Sequence, residues 1–319
     1  MTDDLLRRAG LTSQHLELLA KWFAEGRGYR SHLIRKRHGG VREIFEASTE
    51  FDSILKLLRR ALEQSSLYCP PECVHGYVKG RNIVTNASQH LAKRVVLCVD
   101  VEDFFPAIST AMVASALKRV GLGEGLADLI ANAVTVAGQL PAGFSTSPFL
   151  SNVVFEPTDS RLLTLADPGV AYTRYADDLT FSGDFSDEVL LAVREEMARD
   201  GWSLRESKTR FMRQGGPQYV TGLYVGAADR PHVPRRIKRR LRQQLYYMGR
   251  YGFASAWERG EVMYQNQAGG WVRYVAQVEP RAARRLEELL ELVDFRDDYL
   301  YWSDPDDWNA ILDDVGLLG

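Results

Sequence analysis

Two strand-like runs meet at a pair of adjacent acids, and that hairpin narrows the folds open to this chain. Val170-Ala171-Tyr172-Thr173 and Leu179-Thr180-Phe181-Ser182 flank Tyr175-Ala176-Asp177-Asp178. β-Branched and aromatic residues favour strands while Asp favours turns, so both carboxylates fall at the tip of a tight hairpin. Adjacent carboxylates repel each other unless a cation neutralises them, and hard divalent ions such as Mg²⁺ prefer oxygen ligands. A solvated acidic turn would have the same local sequence, so the pair alone does not decide its role.

A third acid does more. Val95-Val96-Leu97-Cys98-Val99 is a continuous apolar run that reads as a buried strand, and it delivers Asp100 at its end. A carboxylate there, beside an acidic hairpin on a neighbouring strand, can clamp two metals about 3.5–4 Å apart. One would activate a 3′ or 2′ hydroxyl, and the other would hold the triphosphate and the leaving pyrophosphate. This is the layout of a polymerase palm. With D-x-x-x-F-F at 100–105 and Y-A-D-D at 175–178, the chain resembles the reverse transcriptases. The resemblance implies an α+β right-hand polymerase fold, with fingers, a palm built on an antiparallel sheet, and a helical thumb. Asp100, Asp177 and Asp178 are the expected catalytic carboxylates and ligands of two Mg²⁺ ions, with dNTPs as substrates. Glu102 and Asp103 are expected to stand outside the ligand set.

Length and charge agree with this reading. A chain of 319 residues exceeds the usual single core and should divide. The expected segments are 1–73 (N-terminal helices and fingers), 74–228 (palm, with interleaved fingers elements) and 229–319 (thumb and acidic tail). No 18-residue apolar run and no signal peptide are seen. Cys69, Cys73 and Cys98 make no even disulfide framework, which suits a reducing cytoplasm. The net charge of −2 hides an uneven distribution. Residues 230–250 carry eight bases and no acid, whereas from Glu291 onward there are nine acids against one base, Arg296. The first block suits a phosphate backbone and the last repels one.

Helical spacing is expected over 1–30, over Phe51–Leu67 and over Leu241–Leu290. Between the first two lies a basic hairpin, Arg35 to Phe45, with Gly39-Gly40 marking its turn. By the resemblance, Arg35 and Arg42 on this fingers hairpin would neutralise the incoming triphosphate. Phe105 would stack below the sugar and exclude a ribose 2′-OH. Leu140 to Pro148 is similar to the family's loop-then-helix motif, with Ser147 read as the N-cap and Pro148 at the first helical position. Gly143 there would permit close approach to a base or sugar. Ala142 stands where the family usually has Gln, which removes an amide that normally contacts the nucleotide region. Gly201-Trp202-Ser203-Leu204-Arg205-Glu206-Ser207-Lys208-Thr209 matches the motif whose Lys, here Lys208, protonates departing pyrophosphate.

Two signatures narrow the resemblance to the retron reverse transcriptases: Asn86-Ala87-Ser88-Gln89-His90, matching N-A-x-x-H, and Val220-Thr221-Gly222, matching V-T-G. Such enzymes recognise a structured non-coding RNA of the msr–msd type. They prime from the 2′-OH of a guanosine and leave a branched RNA–DNA hybrid, multicopy single-stranded DNA. The implied partners are that RNA, its DNA product, a separate effector protein in anti-phage defence, and host RNase H. The expected RNA-contacting residues are Asn86, His90, Thr221, Gly222, Arg235, Arg236, Arg239 and Arg240. An abortive-infection polymerase making untemplated DNA, or an inactive palm serving as an RNA scaffold, is the alternative left open.

Overall fold

The computed structural model describes residues 2–35, 41–166, 169–260 and 262–296. Among them no helix is long and apolar enough to cross a membrane. The chain opens with α1 (Thr2–Arg8) and α2 (Ser13–Ala24), and α2 buries Leu16, Leu19 and Phe23 at helical spacing. The helix expected up to residue 30 therefore ends earlier. β1 (Tyr29–Arg35) follows and pairs antiparallel with β2 (Val41–Ala47), in register from Tyr29↔Ala47 to Arg35↔Val41. The Gly39-Gly40 turn lies outside the described residues. α3 (Thr49–Gln64) then buries Phe51, Leu55, Leu58 and Leu62 along one side.

Next come α4 (Ile83–Ala87), β3 (Val95–Asp100), α5 (Phe104–Ala107), α6 (Thr110–Arg119), α7 (Glu124–Val134) and α8 (Ser147–Leu165). β3 is buried along nearly its whole length, as a continuous apolar strand requires. At the start of α8, Thr146 takes the cap position and Ser147 is already helical. The Ser147 hydroxyl donates instead to the Pro141 carbonyl at 2.7 Å, bracing the preceding loop.

β4 (Ala171–Tyr175) and β5 (Asp178–Gly183) form the acidic hairpin, followed by α9 (Val189–Ala198), β6 (Arg210–Arg213), β7 (Tyr219–Val220) and β8 (Leu223–Tyr224). Four strands make one sheet in the order β4-β5-β3-β6, so the strand ending at Asp100 lies beside the strand starting at Asp178. The chain finishes in α10 (Arg235–Tyr251), α11 (Phe253–Glu258), α12 (Gln265–Val278) and α13 (Pro280–Glu291).

The residues group into two compact units, each discontinuous in sequence. One comprises 1–80, 98–181 and 185–209; the other comprises 81–97, 182–184 and 210–319. The first holds the β1–β2 hairpin and the acidic turn over a core that includes Leu55, Ile108, Phe155 and Phe181. In the second, Ile237, Leu241, Leu245, Val275 and Ala283 are buried along α10, α12 and α13. Glu279 ties the start of α13 to the start of α10, accepting from Val233 N at 2.9 Å and Lys238 Nζ at 2.7 Å. The segments expected from motifs are 1–73, 74–228 and 229–319; compactness groups 81–97 with residues from 210 onward.

Candidate active site and nucleic-acid interface

β4 and β5 are joined through Ala176 and Asp177, and Ala176 has φ +59°, a backbone that a two-residue hairpin usually gives to glycine or asparagine. The turn does not stand alone. The Val101 amide donates to the Asp177 carbonyl at 3.0 Å, which clamps the end of β3 to the hairpin tip. Asp100, on that strand end, is 1% exposed. Its Oδ2 accepts from Lys208 Nζ at 3.1 Å, while Arg205 Nη1 is 3.5 Å from Oδ1. Arg205 N also donates to the Asp100 carbonyl at 2.8 Å, so the Lys208 motif runs alongside β3 as a backbone neighbour.

Burial raises the Asp177 carboxyl above its ordinary range, and the nearby Asp100 charge adds to that; Lys208 and Arg42 act in the opposite direction. Asp100 Oδ1 is buried without a hydrogen-bond donor. A divalent cation relieves both conditions, so these residues fit a Mg²⁺ site. Asp178 opens β5 and is half-buried. Among the described residues no three His, Cys, Asp or Glu side chains are already gathered as a metal cage. The Val101–Asp177 bond sets Asp100 beside the turn, and Asp178 follows Asp177 at the start of β5.

The fingers hairpin separates its two expected arginines. Arg42 pairs with Ile34 and Arg35 with Val41, and cross-strand partners share a face while successive residues alternate. Arg35 and Arg42 therefore point to opposite faces, and the Arg42 charge acts on the Asp177 carboxyl, lowering it. Gly143 also differs from expectation. It has φ +112°, and a Cβ there would lie 2.4 Å from the Phe45 carbonyl oxygen. The close approach it permits here is to β2, where Phe45 N donates to the Ala142 carbonyl at 2.8 Å. Phe105 is half-buried, its ring centroid 6.3 Å from that of Tyr77. Burial, followed by the Asp177 charge, pushes the Tyr77 hydroxyl up to about 12.

The two signature motifs form one packed piece. Asn86 and His90 are 1% and 0% exposed, and His90 Nδ1 lies 2.6 Å from Ser182 Oγ. Side chains without solvent access offer no edge to RNA, so both are corrected from contact residues to packing residues. Thr221 (φ +45°) and Gly222 (φ +75°) are the two central residues of the β7–β8 turn, both left-handed as a type I′ turn requires. Thr221 Oγ1 donates to the Ile83 carbonyl at 3.2 Å and Gly222 is buried, so V-T-G docks on α4 and presents neither residue as a free surface. On α10, Arg235, Arg236 and Arg239 are exposed, whereas Arg240 is half-buried and donates to the Gly260 carbonyl at 3.3 Å. Of the acidic tail, Glu291 and Asp294 are described, Asp294 pairing with Arg296; the acids from Asp297 onward lie outside the described residues.

Sequence reasoning passed over Arg205, although it sits within the Lys208 motif, and Arg174, a lone cation in an otherwise strand-like run. That isolation was the available signal. A buried strand keeps a charge only if something is built around it.

The reverse transcriptase (RNA-dependent DNA polymerase) family matches residues 34–249. The retron Mx65 reverse transcriptase of Myxococcus xanthus is 35% identical over 286 residues, covering 82% of this chain and 64% of that protein. The retron Mx162 reverse transcriptase of the same organism is 33% identical over 318 residues, covering 85% and 64%. The chain thus spans somewhat less than two thirds of the length of these relatives. Among solved structures, apo telomerase from Candida tropicalis superposes with a TM-score of 0.52 at 10% identity, covering 86% of this chain and 59% of that one. That likeness concerns the fold, which is the right-hand polymerase fold.

Proposed function

The chain belongs to the reverse transcriptase family and is of the retron type, and from that premise we propose that it copies a structured non-coding RNA of the msr–msd type into single-stranded DNA, starting from a guanosine 2′-OH. The carrying observation is the bond from Val101 N to the Asp177 carbonyl, which sets the buried, underpaired Asp100 carboxylate beside the turn.

In this reading Asp100, Asp177 and Asp178 hold two Mg²⁺ ions. When bound, these ions activate the attacking hydroxyl and neutralise the triphosphate. The primer oxygen forms its bond to the α-phosphorus of a dNTP as the bond to pyrophosphate breaks. Lys208, held on the Asp100 carboxylate, supplies the proton that pyrophosphate takes on leaving. Arg42 faces the phosphates, and Phe105 backed by Tyr77 occupies the space a ribose 2′-OH would need. Arg235, Arg236 and Arg239 on α10 take RNA phosphates. A separate effector, host RNase H, an anti-phage role and a cytoplasmic setting complete the proposal.

The test is co-purification of the full chain with its nucleic acid, followed by treatment with a debranching enzyme. Release of a DNA from an RNA by that treatment is expected. DNA lacking any RNA branch would favour untemplated synthesis, and no DNA at all would sink the reading.

A further inference from the structure

We propose that Arg174 is a positioning residue for the acidic turn: a buried guanidinium, held by Asp159 and Asn152, that fixes the Ala176 carbonyl and thereby the direction in which Asp177 and Asp178 present their carboxylates. The inference rests on the reading that those carboxylates bind Mg²⁺.

Arg174 is fully buried, as is Asp159. Its Nε lies 2.9 and 3.1 Å from the two Asp159 oxygens, and Nη2 is 2.7 Å from Oδ2. Nη1 donates to Asn152 Oδ1 at 2.9 Å and to the Ala176 carbonyl at 3.2 Å. Tyr172 OH donates to Asp159 at 2.7 Å, and the guanidinium carbon sits 4.6 Å from the centre of the Phe155 ring. Nε and Nη2 are thus committed to Asp159, leaving Nη1, braced by Asn152, directed at the turn.

Stability does not explain this arrangement. A buried ion pair recovers little more than its desolvation cost, and well-packed apolar residues of equal volume serve a core as well or better. What apolar residues cannot supply is a rigid donor at a chosen carbonyl. The carbonyl chosen belongs to the one residue of the turn with a strained, left-handed backbone, Ala176 at φ +59°.

The turn is braced a second time by the same cluster. Asn152 Nδ2 donates to the Gly76 carbonyl at 3.0 Å. Gly76 lies so close to the turn that a Cβ on it would come 2.3 Å from Ala176 N. The Arg174 backbone completes the frame, donating to the Cys73 carbonyl at 2.8 Å and accepting from His75 N at 2.7 Å. A turn held at the Ala176 carbonyl and packed against Gly76 at the Ala176 nitrogen has one orientation, and the two acids that follow Ala176 inherit it.

The experiment compares wild type with Arg174→Lys in the full chain bearing its co-purified nucleic acid. Lysine keeps the charge against Asp159, but its single ammonium cannot also reach Ala176 through a planar fork. The Mg²⁺ concentration for half-maximal DNA synthesis should rise about tenfold or more, as when a group orienting a metal ligand is lost. Hydrogen exchange at the amides of 176–178 should quicken while that of β3 stays the same, and RNA affinity should not move. A folded variant with unchanged Mg²⁺ requirement and unchanged turn exchange overturns the proposal. Should Arg174→Lys fail to fold, Asn152→Ala decides by the same two readouts, with smaller shifts in the same direction expected and none overturning the proposal. Wild type that makes no Mg²⁺-dependent DNA would instead refute the reading beneath it.

Discussion

Lys208 Nζ sits 3.1 Å from Asp100 Oδ2, so the residue proposed to protonate the leaving group is also a counter-ion of a carboxylate proposed to hold Mg²⁺. These two roles separate experimentally. Replacing Lys208 with Met should slow DNA synthesis by about 10²–10⁴-fold through loss of a general acid. It should also lower the melting midpoint, because among the described residues Asp100 then keeps Arg205 alone as an ion-pair partner. In the double variant Asp100→Asn, Lys208→Met, the carboxylate that lost its lysine is gone too, so melting should recover while synthesis is abolished. A double variant that melts no higher than Lys208→Met would mean that the lysine's structural part is not played through Asp100.

Phe105 and Tyr77 touch through their rings, and Phe105 is the only one of the two that follows directly from the Asp100 strand. Phe105→Ala should admit rNTPs into the product, measured as ribonucleotide incorporation under mixed nucleotide pools. Tyr77→Phe keeps the ring and should leave the sugar preference alone. Unchanged discrimination in Phe105→Ala would remove its assignment as the gate.

Asp177 gives a pH prediction with a definite sign. Its carboxyl is raised in the folded chain from an ordinary value of 3.8, first by burial and then by Asp100. The folded state therefore holds the proton more tightly than the unfolded state. Stability from this group is present below 3.8 and is lost as pH rises through the raised folded value. At neutral pH, in buffer without divalent ions, Asp177→Asn should melt above wild type, each kcal/mol counting for about 2–4 °C in domains of 150–250 residues. Added Mg²⁺ should raise the wild-type midpoint and leave the variant's in place. A variant that melts lower without metal would show that the acid is not under electrostatic stress.

The acidic turn and the strand ending at Asp100 were legible because both depend on local rules, turn chemistry and apolar runs. Their adjacency was a matter of sheet order, and a resemblance supplied it. Which way Arg35 and Arg42 face was not legible, since that depends on a register set across a turn whose length a Gly-Gly pair does not specify. Asn86 and His90 stand in a motif that carried the resemblance, yet burial is decided by what packs over a side chain, as Ser182 from β5 does at His90. Arg174 shows the limit most plainly. Its partner Asp159 lies on α8, and nothing in the spacing of the two indicates that a helix and a strand will bring them within 2.7 Å.

The exposed arginines of α10 and the buried signature residues make opposite predictions for RNA binding. Each phosphate neutralised by Arg releases condensed counterions, so log K falls with log salt by about 0.7–0.9 per contact. Converting Arg235, Arg236 and Arg239 to Gln should therefore flatten the slope by about two to three and weaken binding most at low salt. His90→Ala removes a fully buried side chain and its contact with Ser182, with no charge facing solvent. It should lower the melting midpoint and leave the slope unchanged, because no counterion is displaced at that position. A slope that survives the triple substitution would take α10 off the phosphates. A slope altered by His90→Ala alone, in protein that still melts like wild type, would mean that this histidine reaches RNA after all and that the burial seen for the N-A-x-x-H segment is not its RNA-bound state.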